Sequence, residues 1–138
     1  MYQFEHKMRV RYAETDQMGY VYYGNYATYF EVARAESIRS LGLTYREIEE
    51  AGVIMPVLEN YSKYLRPARY DDELTIKLFI PKFPDTRIRY EYEVFKDDKL
   101  IHKGFTVLVF VDRNTGKPCH MPEILVKIMS SFFDSNEV

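Results

Sequence analysis

The chain has 138 residues, 46% of them apolar, and a formal net charge of -2 at pH 7. This length suits one domain with its own hydrophobic core, over residues 1–138, and the balanced charge excludes a basic face for nucleic acid. The lone Cys119 excludes an internal disulfide. The N-terminus is charged, unlike a signal peptide, and the sequence contains no run of about 18 apolar residues, the length that a membrane helix needs. These features favour a cytoplasmic protein over a secreted or membrane-bound one.

The first third of the chain is predicted to form a strand, a polar loop and a long helix. Weak alternation from about Phe4 to Tyr12 indicates a strand, and the polar AETDQ after it indicates a loop. A helix from Asn25 to Leu41 is predicted, because its apolar positions recur every three or four residues. These core-facing positions are Tyr26, Tyr29, Phe30, Ala33, Ser37, Ile38 and Leu41.

The ends and the polar face of this helix are also predicted from residue types. Asn25 is expected to cap its start, and Gly42 is expected to end it in the left-handed conformation. Glu31, Arg34, Glu36 and Arg39 are expected to lie largely away from the core.

Beyond the long helix, the pattern indicates a short helix, four strands and a C-terminal helix. Thr44 to Ala51 is the short helix, with Thr44 as its cap and Glu47 at the capping-box spacing. The strands are runs rich in β-branched and aromatic residues, bounded by turn residues, at about Met55 to Leu65, Glu73 to Phe83, Thr86 to Lys96 and Lys99 to Asp112. The C-terminal helix is MPEILVKIMSSFF, with Pro122 near its first position. These elements predict an α+β fold in which an antiparallel sheet of about five strands buries one face against the long helix.

Two motifs resemble a known family. The run D-Q-M-G-Y-V-Y-Y-G-N-Y-A-T-Y-F-E-V-A-R, from Asp16 to Arg34, resembles the signature of the 4-hydroxybenzoyl-CoA thioesterase-like proteins. The run P-A-R-Y-D-D-E-L-T-I, from Pro67 to Ile76, is similar to the segment that leads into the third strand of that family. The resemblance implies a hotdog fold, in which the sheet wraps around the long central helix, and an acyl-CoA thioesterase that releases a carboxylic acid and free CoA.

The resemblance also implies roles for residues of the first motif. Thioester hydrolysis needs a nucleophile or base and donors for the developing oxyanion, and a carboxylate with a helix N-terminus supplies both. Asp16 matches the aspartate that attacks the thioester or activates water, and the main-chain N–H of Tyr23 matches the donor to the carbonyl. Gly19 is expected to let the loop bend. Gly19, Tyr22, Asn25 and Glu31 are expected to contribute to substrate binding, with Glu31 near the acyl end.

Other chemistries have weaker signals in the sequence. His6, His102 and His120 are scattered without ligand spacing, so no metal site is expected, and the reaction needs no cofactor. A non-catalytic acyl-thioester-binding protein stays open as an alternative. A dehydratase of the same fold is less favoured, since the long helix carries Glu31 and Glu36 but no His. The six basic residues that could bind the CoA phosphates are Lys63, Arg66, Arg69, Lys82, Arg87 and Arg89.

The proposed sheet predicts self-association. Its edge strand would leave backbone groups unpaired, and its aromatic face would be incompletely covered. The family resemblance implies a homodimer, or a homotetramer built from dimers, with strand residues of a second chain closing the site. The expected substrate is an acyl-CoA, with an acyl-carrier-protein thioester as a second possibility.

Overall fold

Helices and strands occupy most of the chain, and a computed structural model describes all residues from 1 to 138. The α-helices are α1 Asn25–Ser40, α2 Tyr45–Glu50 and α3 Glu123–Met129. The strands are β1 Tyr2–Arg9, β2 Val53–Ile54, β3 Val57–Tyr64, β4 Glu73–Ile80, β5 Arg87–Lys96, β6 Lys99–Val109 and β7 Val111–Asp112. None of the three α-helices combines the length and the apolar character that crossing a bilayer requires.

Five strands form one antiparallel sheet in the order β1-β4-β5-β6-β3. The chain pairs β4 with β5 and β5 with β6 through hairpins, and it places β1 and β3 at the two edges. The short strands β2 and β7 pair with each other outside this sheet. The predicted α+β class and the predicted five-stranded antiparallel sheet are therefore confirmed.

The core lies between α1 and the inner face of the sheet. Strands β4 and β5 alternate buried and more exposed residues, as a half-buried antiparallel strand requires. Phe30 of α1 stacks on Tyr92 of β5, with ring centroids 3.9 Å apart. Gly104 of β6 permits this close approach, because a Cβ there would lie 2.1 Å from the carbonyl oxygen of Tyr61 and 3.0 Å from the Phe30 ring. Aromatic burial on both surfaces therefore fixes α1 against the sheet.

Four predicted strands differ from the observed ones by two or more residues in their bounds. The first strand ends at Arg9 rather than near Tyr12, because Val10 turns to bond Asp72 and residues Tyr12–Glu14 form a turn of 3₁₀ helix. The predicted run from Met55 to Leu65 corresponds to β3 alone, which begins at Val57 after Pro56, and the short β2 lies before that run and was not predicted. The predicted strand from Glu73 to Phe83 ends at Ile80. The run from Lys99 to Asp112 is divided at Phe110 into β6 and β7.

Two predictions for α1 are wrong. Asn25 is the first helical residue rather than the cap, since its Nδ2 donates to the carbonyl oxygen of Glu14 at 2.8 Å and Gly24 occupies the cap position without a side-chain bond. Arg34 lies in the core and is only 7% exposed, because its guanidinium reaches the hydroxyl of Tyr92. Gly42 has a φ of +85° beyond the helix end, as predicted, and Thr44 accepts the predicted bond from Glu47 N–H.

Candidate active site

The Asp16 side chain closes a tight turn after the first strand. Its Oδ1 accepts hydrogen bonds from Met18 N–H at 2.9 Å and Tyr20 N–H at 3.2 Å. The backbone adds bonds from Gly19 N–H to Asp16 O and from Asp16 N–H to Tyr20 O. Asp is common in turns because its side chain can accept hydrogen bonds from backbone N–H groups a few residues further along the chain. It fixes the orientation of the carboxylate and leaves Oδ2 without a partner in the chain.

Gly19 gives this turn its shape. Its φ is +80°, in the left-handed region that glycine occupies without steric cost. A Cβ at this position would meet no neighbouring atom, so the conformation rather than space requires glycine. Gly19 therefore acts on the site through the backbone of the Asp16 turn.

Glu14 joins the Asp16 turn to the start of α1. Its carbonyl oxygen accepts from Tyr22 N–H at 2.9 Å and from Asn25 Nδ2 at 2.8 Å. Its carboxylate accepts from Tyr29 Oη at 3.0 Å and from Arg11 N–H at 2.8 Å. Sequence reasoning missed this residue, although its place between the strand and the motif could have suggested a link. The result is a loop held at both ends.

The start of α1 presents free backbone donors. Tyr23 N–H and Gly24 N–H have no hydrogen-bond acceptor within the chain. Tyr23 itself is 63% exposed, so water or a ligand can reach this end of the helix. Unpaired N–H groups together with the helix dipole favour a negatively charged oxygen at this position.

Asp16 and Tyr23 line one groove of about 290 Å³. Two segments of the chain form the rest of its lining. The motif contributes Met18, Tyr20, Val21 and Tyr26, and the end of β3 with the loop after it contributes Tyr64, Leu65, Arg66 and Pro67. Tyr64 Oη donates to the carbonyl oxygen of Tyr23 at 3.4 Å. The Asp16 carboxylate, the residue Tyr23 with its free N–H and apolar walls therefore share one open cleft, the arrangement expected of a small-molecule site.

His102 lies directly beneath this groove. Its ring is parallel to that of Tyr26, with centroids 3.8 Å apart, and its Nε2 is 3.0 Å from Ser62 Oγ. Burial lowers the pKa of His102 to about 4, so the imidazole is neutral at pH 7. Burial raises the pKa of Tyr26 to about 12, so its hydroxyl also stays neutral. The floor of the groove is uncharged and aromatic.

The other predicted site residues lie at different distances from the groove. Tyr22 is exposed and packs on Tyr23, with ring centroids 4.7 Å apart. Asn25 supports the loop through Glu14, and Gly19 shapes the Asp16 turn. None of these three lines the groove, and Glu31 lines a separate groove farther along α1. The structure thus brings Asp16 and Tyr23 together and places Glu31 elsewhere within a single chain.

Sequence reasoning also missed the segment from Tyr64 to Pro67 as part of the site. Its position depends on Leu65 N–H and Arg66 N–H, which both donate to Ile101 O at 3.0 Å. Arg66 is the one basic side chain that lines the groove, among the six candidates for phosphate contact. No cluster of three or more His, Cys, Asp or Glu residues could hold a metal ion.

The chain is similar to a known protein family and to individual thioesterases. The family model of the thioesterase-like superfamily matches residues 10–128. The "Putative acyl-CoA thioesterase YneP" of Bacillus subtilis (strain 168) is 34% identical over 113 residues, which cover 81% of this chain and 82% of that protein. The acyl-CoA thioester hydrolase YbgC of Escherichia coli O6:H1 is 28% identical over 124 residues, which cover 89% of this chain and 92% of that protein.

A solved structure is similar over almost the whole chain. The DHNA-CoA thioesterase from Staphylococcus aureus has a TM-score of 0.88 and 34% identity, with 96% of this chain and 91% of that chain covered. The similarity confirms the predicted hotdog fold, with the five-stranded sheet wrapped around α1.

Proposed function

The chain belongs to the thioesterase-like superfamily, and from that premise we propose that Asp16 and the open start of α1 carry out its chemistry. It is an acyl-CoA thioesterase, which uses water to convert an acyl-CoA into a carboxylic acid and free CoA. The observation that carries the assignment of the site is the groove shared by Asp16 and Tyr23.

The free N–H groups of Tyr23 and Gly24 suit the thioester oxygen. As the carbonyl carbon is attacked, negative charge develops on that oxygen, and donors already in position stabilise it without reorganisation. The role belongs to the main chain, so the Tyr23 side chain is not needed for it. The side chain at this position is a phenol, so no imidazole can act there.

Asp16 can act by either of two balanced routes. As a nucleophile, its Oδ2 attacks the thioester carbon and the C–S bond breaks, which releases the CoA thiolate. Water then hydrolyses the resulting anhydride to the free acid and the Asp16 carboxylate, and the remaining proton passes to the thiolate. As a general base, Asp16 takes a proton from water, the hydroxide attacks the carbon, and the proton passes to the leaving thiolate. Because Oδ1 is held by Met18 N–H and Tyr20 N–H, Oδ2 is the oxygen free for both routes.

Arg66 suits the phosphates of the carrier. It is exposed at the wall of the groove, so its guanidinium can bind a phosphate oxygen through two parallel N–H groups. CoA and acyl-carrier protein present the acyl group on the same phosphopantetheine arm, so the groove suits either carrier. The half-buried free Cys119 needs no oxidising compartment, which favours the cytoplasm.

The edge strand β3 suits a homodimer, from which a tetramer could be built. Four of its large apolar side chains are exposed in the single chain: Val57, Leu58, Tyr61 and Tyr64. Its outer edge has no strand partner, and such an edge favours pairing with a second copy. Pairing along β3 would place a second chain beside Tyr64 at the groove. Residues of that chain would then close the acyl end of the site, where Glu31 is also proposed to act across the subunit boundary.

A panel of acyl-CoA thioesters tests the proposed function. Free thiol is measured after mixing the purified chain with short, long and aromatic acyl-CoA substrates, and binding of each is measured by calorimetry. We expect turnover of more than one substrate. Binding without any thiol release would instead identify a non-catalytic acyl-thioester-binding protein.

A further inference from the structure

Glu14 links the segment that carries Asp16 to the long helix. We call this segment, residues 11–20, the Asp16 loop. Two hydrogen bonds join the Asp16 loop to α1, and Glu14 accepts both of them. Its carbonyl oxygen accepts from Asn25 Nδ2 at 2.8 Å, and its Oε1 accepts from Tyr29 Oη at 3.0 Å. The connection between the loop and the helix therefore depends on one residue.

Tyr29 gives the Glu14 carboxylate a fixed anchor. It lies in the second turn of α1 and is only 1% exposed. Its ring packs edge to face against that of Tyr26, with ring centroids 5.6 Å apart, and Tyr26 lines the groove. Glu14 is the one hydrogen-bond partner of the Tyr29 hydroxyl. A buried hydroxyl that loses its partner is destabilising, so this bond keeps the carboxylate against the helix.

The bonds of Glu14 fix the location of both groups that the proposed reaction uses. Asp16 follows Glu14 by two residues, so its carboxylate moves with the Glu14 backbone. The Glu14 carbonyl oxygen also accepts from Tyr22 N–H at 2.9 Å, one residue before the free N–H of Tyr23. The distance between the Asp16 carboxylate and the Tyr23 N–H therefore depends on the position of Glu14.

From this arrangement we propose that Glu14 is a positioning residue for thioester hydrolysis. Its carboxylate, bonded to Tyr29, holds Asp16 at the distance from the Tyr23 N–H at which both groups reach the same thioester. A displacement of about 1 Å in such a pair can cost on the order of 10²-fold in rate. Glu14 does not line the groove, so it acts through Asp16 rather than on the substrate. The inference rests on the proposed function of Asp16.

Steady-state kinetics of three variants on one acyl-CoA test this role. Glu14→Ala removes the bonds from Tyr29 Oη and Arg11 N–H, and it should lower kcat at least about tenfold with KM within about threefold. Glu14→Gln keeps the Oε1 that accepts both bonds, so its kcat should stay within about threefold of the wild type. Tyr29→Phe keeps the ring but removes the bond, and it should lower kcat at least about fivefold. Tyr29→Phe decides the question where Glu14→Ala does not fold.

Two controls separate positioning of Asp16 from a general structural effect. Thr15 Oγ1 donates to Tyr12 O at 2.7 Å within the Asp16 loop and does not reach α1, so Thr15→Val should keep kcat within about threefold. In an Asp16→Asn background, Glu14→Ala should lower the remaining turnover by less than about threefold, because no carboxylate is left to be positioned. A general loss of structure would lower turnover equally in both backgrounds.

The outcomes distinguish this inference from the proposed function. Wild-type kcat in folded Glu14→Ala or Tyr29→Phe would overturn the role of Glu14, and so would a Glu14→Gln variant as slow as Glu14→Ala. An equal loss in the Asp16→Asn background would also overturn it. Undiminished turnover by Asp16→Asn alone would refute the assignment of Asp16 and this inference together. A large fall in Asp16→Asn beside wild-type kcat in Glu14→Ala would refute this inference alone.

Discussion

The imidazole of His102 lies parallel to the phenol ring of Tyr26, with ring centroids 3.8 Å apart and an interplanar angle of 3°. His102 is fully buried, and its Nδ1 has no hydrogen-bond partner. The second proton of a charged imidazolium would add an N–H donor, and Ser62 Oγ is the one hydrogen-bond partner of this buried ring. Burial therefore keeps His102 neutral and holds its pKa at about 4, against 6.5 for an unperturbed histidine.

This shift predicts a loss of stability in mild acid. Below pH 6.5 the unfolded chain binds a proton at His102 that the folded chain refuses until about pH 4, so folding stability falls as the pH falls through that window. Relative to a His102→Phe variant, the wild type should lose about 2 kcal/mol more of its unfolding free energy between pH 7 and pH 4.5. Urea unfolding at the two pH values measures it. Equal losses in both proteins would show that His102 does not titrate in this way.

The Tyr23 side chain should be dispensable for catalysis. Because the proposed oxyanion donor is the main-chain N–H, Tyr23→Phe should keep kcat within about threefold of the wild type, whereas loss of a true oxyanion donor costs on the order of 10²-fold. Steady-state kinetics on one good acyl-CoA measures this. A hundredfold fall in kcat would assign the role to the phenol instead.

Arg66 should matter for the carrier but not for the chemistry. Arg66→Ala should raise KM for an acyl-CoA by about tenfold, the scale of one charged hydrogen bond, with little change in kcat. The wild type and Arg66→Ala should hydrolyse the same acyl group equally fast when it is carried by N-acetylcysteamine, which lacks phosphates. Arg89→Ala is the matched control, since Arg89 packs on Phe105 and pairs with Glu91 on the other face of the sheet. Equal effects of both variants would refute the assignment.

The exposed strand β3 predicts self-association. Light scattering at micromolar concentration should give at least twice the mass of one 16.5 kDa chain. Leu58→Lys places a charge on this edge and should shift the protein towards the monomer. Ile124→Lys, at an exposed position of α3, should not. A fully active monomer of the wild type would show that a single chain contains a complete site.

Sequence patterns predicted the parts of the fold that are determined by interactions between residues close together in the sequence. The period of α1 identified the side that packs on the sheet, and the turn chemistry of Asp16 and Gly19 is visible in their residue types. Arg34 was misplaced because its partner Tyr92 is 58 residues away, which no helical pattern records. Asn25 was expected to cap α1, but it bonds Glu14 across the loop instead.

The candidate site was predictable only in its N-terminal half. Asp16 and Tyr23 belong to one contiguous motif, so a family resemblance can point to both. The opposite wall, from Tyr64 to Pro67, reaches the groove through pairing with β6, where Leu65 and Arg66 both bond to Ile101. Such pairing between distant segments is set by the register of the sheet, which residue types alone do not specify.

Thiol release by Asp16→Asn tests the central claim most directly. The variant keeps the size of the side chain and the Oδ1 acceptor for Met18 and Tyr20, but it removes the carboxylate. With an acyl-CoA that the wild type hydrolyses, kcat should fall by at least ~10²-fold, the scale of a positioned base or nucleophile, while circular dichroism and substrate binding stay unchanged. Wild-type turnover by the folded Asn variant would contradict the assignment of Asp16 as the catalytic carboxylate.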